Sequence, residues 1–168
     1  MRVLGTVLAC LGAALQAHAA PAWEFAASPP NRMHLAAAPV SSGVAGVTEI
    51  ASYSCIDGMS CTWSFAIALE CRPGETALAT VTAPALTVTT GKGSPGSFLR
   101  CGGPNPALPG TWVYLIERTD IMGQLALRNE AVTFRVGFPD ANRMRDVRVD
   151  FRGSAAVIAR VNSAHQRH

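Results

Sequence analysis

The sequence predicts an all-β fold: an antiparallel β-sandwich or small barrel of about nine short strands, preceded by a secretory signal peptide. Three observations carry this expectation. From Cys61 to Cys71 every odd position is apolar (Cys61, Trp63, Phe65, Ile67, Leu69, Cys71), while the even positions are Thr62, Ser64, Ala66, Ala68 and Glu70. Such alternation marks a strand with one buried face; a helix would scatter the aromatics around its circumference. Short segments rich in Thr and Val then recur between turn signals at roughly 8–12-residue spacing, the pattern of sandwiches and barrels. Finally, 49% of the 168 residues are hydrophobic and 15% are charged. That excludes a disordered chain, which would be poor in apolar residues, and the Glu-, Lys- and Leu-rich composition of a coiled coil.

The chain opens with a basic Met1-Arg2, an uncharged run from Val3 to Ala17, and Ala17-His18-Ala19 as an A-x-A cleavage site. This three-part pattern predicts a signal peptide over 1–19. The apolar run is shorter than the roughly 20 residues a spanning helix needs, and no later stretch reaches that length, so the mature chain is expected to lack a transmembrane segment. Lipidation at Cys10, within Val7-Leu8-Ala9-Cys10, is the weaker alternative, because the apolar region before it is very short. Thirteen of the fourteen basic residues are Arg and no N-x-[ST] sequon occurs, which fits a bacterial protein that is secreted or periplasmic.

Residues 20–45 are rich in Ala, Pro and Ser and predict an extended lead-in, with room for one short strand over Met33–Ala36. Residues 46–161 predict one β-sandwich domain. Its expected strands, besides Cys61–Cys71, are Thr76–Thr82, Leu86–Thr90, Ser97–Cys101, Thr111–Glu117, Gln124–Arg128, Ala131–Val136, Val147–Arg152 and Ala155–Val161. Thr111–Glu117 is apolar on both sides, as a central strand is. Asp57-Gly58, Pro73-Gly74, the Gly91–Gly96 loop, Pro109-Gly110 and Pro139-Asp140 supply the turns. No helical spacing is expected after the signal peptide, and 162–168 is expected to be a flexible tail.

The mature chain keeps Cys55, Cys61, Cys71 and Cys101, which allow three pairings. A straight Cys61–Cys71 strand holds its ends about 33 Å apart, far beyond disulfide reach. Cys55 lies across the Asp57-Gly58 turn from Cys61, so Cys55–Cys71 is excluded by the same distance. Cys55–Cys61 with Cys71–Cys101 remains. The spacings match no zinc pattern. Tyr53-Ser54-Cys55 resembles the Tyr-x-Cys of immunoglobulin domains, but the upstream cysteine is missing; the resemblance implies an immunoglobulin-like architecture and nothing about membership.

Residues with chemistry are sparse. His34 is the one candidate base within the ordered region, while His165 and His168 fall on the expected tail. There is no G-x-S-x-G elbow and no Walker loop. Neither a cofactor nor a metal is expected. Asp57, Glu70, Glu117 and Asp120 are the carboxylates a hydrolase could pair across a sugar. Lys92, Arg72 and Arg100 lie in or beside turns near cysteines, as an inhibitor loop would require. Residues 118–168 carry nine arginines against five acids, and Arg148, Asp150 and Arg152 alternate with Val147, Val149 and Phe151. Arg148, Arg152 and Lys92 are therefore the candidate partner surface. Aromatics do not interleave with the arginines, so nucleic acid is not an expected partner. The leading expectation is an exported, non-catalytic binding or structural module of the cell envelope, whose partner is an envelope or extracellular protein or glycan. The alternatives are a small secreted hydrolase with a carboxylate pair and a secreted protease or hydrolase inhibitor.

Overall fold

The computed structural model describes residues 22–28, 32–82, 96–117, 119–138 and 141–166. The strands are β1 (Glu24–Ser28), β2 (Met33–Pro39), β3 (Ile50–Ile56), β4 (Thr62–Ile67), β5 (Thr76–Thr82), β6 (Gly96–Pro104), β7 (Trp112–Ile116), β8 (Ala131–Phe138) and β9 (Arg143–Asp150). The helices are α1 (Thr119–Arg128) and α2 (Ser154–His165). The chain is mostly β, as expected. Its strands form one antiparallel sheet in the order β1-β2-β3-β4-β7-β6-β5-β8-β9, not two separate sheets. Backbone hydrogen bonds between Ser41, just past β2, and Arg148 of β9 join the two flanks. The sheet therefore bends round far enough for its ends to meet.

Period-2 alternation sorts the side chains. Trp63, Phe65 and Ile67 of β4, Tyr114 and Ile116 of β7, Leu99 of β6, Ala77, Ala79 and Val81 of β5, Val132, Phe134 and Val136 of β8, and Val147 and Val149 of β9 are all buried. Phe65 meets Phe134 edge-on at 5.1 Å, and Phe151 lies between Trp23 and Phe134. The other face carries polar pairs such as Ser52–Ser64 and Arg135–Asp146. β7 sits fifth of nine, the central place its two-sided apolar pattern predicts.

Several expectations need correcting. The strand over Cys61–Cys71 stops at Ile67. The next amide, Ala68 N–H, donates to Oε1 of the buried Glu49 at 2.6 Å, and the other oxygen of Glu49 takes the Ser42 hydroxyl. The backbone donor is thus drawn away from the sheet. The cysteines nonetheless stand as anticipated: Cys55–Cys61 and Cys71–Cys101 are both at disulfide distance. The lead-in holds the short strand expected over Met33–Ala36, which runs on to Pro39 as β2, and a further strand, β1; α2 packs against both, and Ala36 and Ala38 of β2 are buried. Gln124–Arg128 is the second half of α1, and Ala155–Val161 lies within α2. The supposed tail also belongs partly to α2, which continues to His165. Leu86–Thr90 lies outside the described residues.

Both helices follow from side-chain spacing. Met122, Leu125 and Ala126 of α1 are buried, three and four residues apart on one face. In α2, Ser154, Val161 and Ala164 are buried and Val157 and Ile158 are partly buried. Gly153 precedes α2 with φ 78°, a left-handed conformation that glycine adopts without strain. Its N–H donates to Asn129 Oδ1 at 2.7 Å, fixing the start of α2 beside the end of α1. No helix among the described residues is long and apolar enough to cross a membrane.

Candidate functional site

The two helices lean on one end of the sheet and leave a groove of about 410 Å³ between them. Its floor is Tyr53 of β3, Trp63 of β4 and Cys61. One wall is the face of α1 bearing Thr119, Gly123, Ala126 and Leu127; the other is the face of α2 bearing Ala155, Ile158, Ala159 and Asn162. At 1.5 Å per residue these faces run for roughly 10–12 Å. The volume falls within the range of small-molecule sites.

Each part of the groove has a local cause. The Tyr53 and Trp63 rings are cross-strand partners, with centroids 5.0 Å apart. Trp63 is held from below by Trp23 and Phe151. The Tyr53 hydroxyl donates to Asn162 Oδ1 at 2.8 Å, tying α2 to β3. Burial pushes the Tyr53 pKa up, and the bond to Asn162 only partly opposes this, so the phenol remains a donor at neutral pH. Small residues leave the space between the walls unfilled. Gly123 is an interior helical glycine, which costs about 1 kcal/mol relative to alanine. Nothing lies within 4 Å of where its Cβ would stand. Leu127, 79% exposed, forms an apolar rim. Among the described residues the lining holds no charged side chain and no histidine.

A second cluster sits at the far end of α2. Asp57, whose side chain is 5% exposed, lies at the β3–β4 turn. It faces Arg32 Nε at 3.3 Å, His34 Nε2 at 3.4 Å and His165 Nδ1 at 3.8 Å. His165 is therefore part of a helix packed against the sheet end, contrary to its expected place on a solvated tail; His168 lies outside the described residues. The cluster places the last turn of α2 beside the turn that follows Cys55. Among the described residues no group of three or more His, Cys, Asp and Glu is placed to hold a metal ion.

Of the residues read as a partner surface, Arg152 is ion-paired and Arg148 stands exposed on β9. Arg152 closes onto Asp150, whose carboxyl it holds below the usual range through hydrogen bonds. Arg135 pairs with Asp146. Arg148 is exposed on β9, where its backbone forms the bridge to Ser41. Lys92 lies outside the described residues. Of the carboxylates, Glu117 pairs with Arg100 at 3.1 Å, Asp120 lies in the first turn of α1, and Glu70 is exposed before Cys71. Arg72 lies in the turn before β5, where its N–H donates to Glu75. The sequence reading missed the groove because it missed both helices. The available signal was Met122, Leu125 and Ala126, followed by Ile158, Val161 and Ala164. No family model, curated protein or solved structure matches the chain.

Proposed function

We propose that this chain is an exported, non-catalytic binding module of the cell envelope, and that the groove between α1 and α2 is its ligand site. One observation carries the reading: an apolar groove with an aromatic floor is kept open by a helical glycine whose missing side chain nothing else replaces. Among the described residues the lining offers surface and three neutral polar side chains, Tyr53, Thr119 and Asn162, which suits holding a molecule more than converting one. The signal-peptide pattern and two cysteine pairs at disulfide distance support export to an oxidising compartment, secreted or periplasmic.

Native mass spectrometry after incubation with the small-molecule fraction of an envelope extract tests this. The mature protein is expected to retain an added mass that the Gly123→Leu variant does not. Equal masses on both proteins, or none on either, would overturn the groove as the site. Turnover of peptidoglycan that disappears in a folded Glu70→Gln, Glu117→Gln or Asp120→Asn variant would overturn the non-catalytic role.

A further inference from the structure

Register decides which backbone groups of β1 are spare. In an antiparallel ladder, opposed residues alternate between pairs that exchange both hydrogen bonds and pairs that exchange none. Val40 N–H donates to Glu49 and Asp57 N–H donates to Arg32, so the even-numbered residues of β2 bond to β3. The odd-numbered ones, Met33, Leu35 and Ala37, bond to β1 opposite Ser28, Ala26 and Glu24. Phe25 and Ala27 are left with N–H and C=O directed away from the sheet. The strand order ends at β1 and β9. Ser41 covers part of the β9 edge, while among the described residues no strand covers the outer side of β1. β1 carries no proline and keeps an unbroken register, so neither a proline nor a bulge blunts its edge.

A side-chain site lies beside this edge. Phe25, with Ala159, Arg160, Ser163 and Ala164 of α2, surrounds a hollow of about 290 Å³. The exposed Arg160 guanidinium lies over the Phe25 ring, 4.6 Å from its centroid. It has no carboxylate partner among the described residues. We propose that an extended acidic peptide segment of a partner protein docks here, adding a strand beside β1 and setting a carboxylate against Arg160. This surface is distinct from the groove between α1 and α2 and takes a different class of partner. The added strand turns alternate side chains, those opposite Phe25 and Ala27, to the face where α2 lies. Bonds to the Phe25 and Ala27 backbone supply affinity, and the hollow with Arg160 selects the side chain. Charge decides against a second copy as the occupant. Pairing β1 with β1 sets phenylalanine or alanine where Arg160 calls for an acid, and adds a second Arg160 on the same face.

The probe is the peptide Thr-Val-Thr-Glu-Lys, acetylated and amidated at its ends so that glutamate is its one carboxylate. Laid antiparallel, it sets that glutamate opposite Phe25 and its lysine opposite Glu24. A companion peptide carries glutamine in place of the glutamate. Amide exchange of the isotope-labelled mature protein is the readout. In the free protein Ala26 is expected to be protected while Phe25 and Ala27 exchange readily; the acidic peptide slows both. Arg160→Gln is expected to weaken the acidic peptide about two- to fivefold, the worth of an exposed ion pair, and to leave the glutamine peptide unchanged. Ala27→Pro removes an outward N–H, which an edge strand tolerates, and is expected to weaken both peptides at least about tenfold. Circular dichroism verifies that each variant is folded, and the comparison of the two peptides needs no variant. Equal binding of both peptides would overturn the acidic class. Unchanged exchange at Phe25 and Ala27 in millimolar acidic peptide would overturn docking at this edge. Protection that grows with protein concentration alone, with a doubled mass in sedimentation, would overturn the peptide in favour of a second copy. None of these outcomes touches the groove, whose own test stands apart.

Discussion

Phe65→Ala tests the core that supports the groove floor. Phe65 is fully buried on β4, two residues from Trp63, with Tyr114 opposite it on β7 and Phe134 edge-on at 5.1 Å. A phenylalanine buries roughly 150–250 Å². At about 25 cal/mol per Å² that is roughly 4–6 kcal/mol, an upper bound because the unfolded chain already covers some of this surface. Alanine keeps a little of the burial and leaves a cavity, which places the expected loss at about 3–5 kcal/mol. For a chain of this size each kcal/mol lowers Tm by roughly 2–4 °C. The assay is urea unfolding of the oxidised mature protein, followed by tryptophan fluorescence and far-UV circular dichroism, with Phe65→Leu as a milder companion. Coincident transitions are required before a free energy is read. A loss below about 1 kcal/mol for Phe65→Ala, within the range of surface substitutions, would refute the packing described here.

The remaining predictions concern the helix, the cysteine pairs and one carboxylate. Gly123→Ala, at an open helical position, is expected to stabilise the fold by about 0.5–1 kcal/mol in thermal unfolding; destabilisation would mean the position is not spare. Replacing Cys71 and Cys101 together should cost about 3.6 kcal/mol by loop entropy, and replacing Cys55 and Cys61 about 2.2 kcal/mol, because the loops differ in length. Denaturant titration of the two double variants checks that order. For Asp150 the carboxyl is held below its ordinary value of about 3.9 by Arg152. Its stabilisation is therefore fully present above that value and lost as pH falls through the lowered folded value. Asp150→Asn should lower Tm at neutral pH, and the two melting curves should converge in acid; a constant gap would contradict this.

How much of this was legible depends on the element. The burial of Trp63, Phe65 and Leu69 could be read because period-2 alternation on a half-buried strand leaves a direct imprint. The cysteine pairs followed from distance, even though the strand used to argue them ends four residues early, because the six residues of β4 already carry the chain roughly 20 Å from Cys61. β1 and β2 were less visible: Ala-rich strands give little contrast between buried and exposed positions. The helices were misread for a different reason. α2 contains Val157, Ile158 and Val161, β-branched residues that favour strands, and only tertiary packing against the sheet decides for helix. α1 carries its three-and-four spacing over only Met122, Leu125 and Ala126, too short a run to stand out against the neighbouring strands. The matching number of strands is thus partly fortuitous, since β1, β2 and β3 stand in for segments that are helical or lie outside the described residues. The groove depends on both helices and on a long-range Tyr53–Asn162 bond, so helical spacing could reveal its two walls but not their meeting over Tyr53 and Trp63.

The central claim is that the groove between α1 and α2 binds. Its most direct measurement is an amide chemical-shift map of the isotope-labelled mature protein, titrated with the small-molecule fraction of its own envelope extract. The account predicts saturable shifts concentrated at Tyr53, Trp63, Gly123, Leu127, Ile158 and Asn162. Shifts centred instead on Arg148 and Arg152, or no saturable shift at the groove, would contradict it.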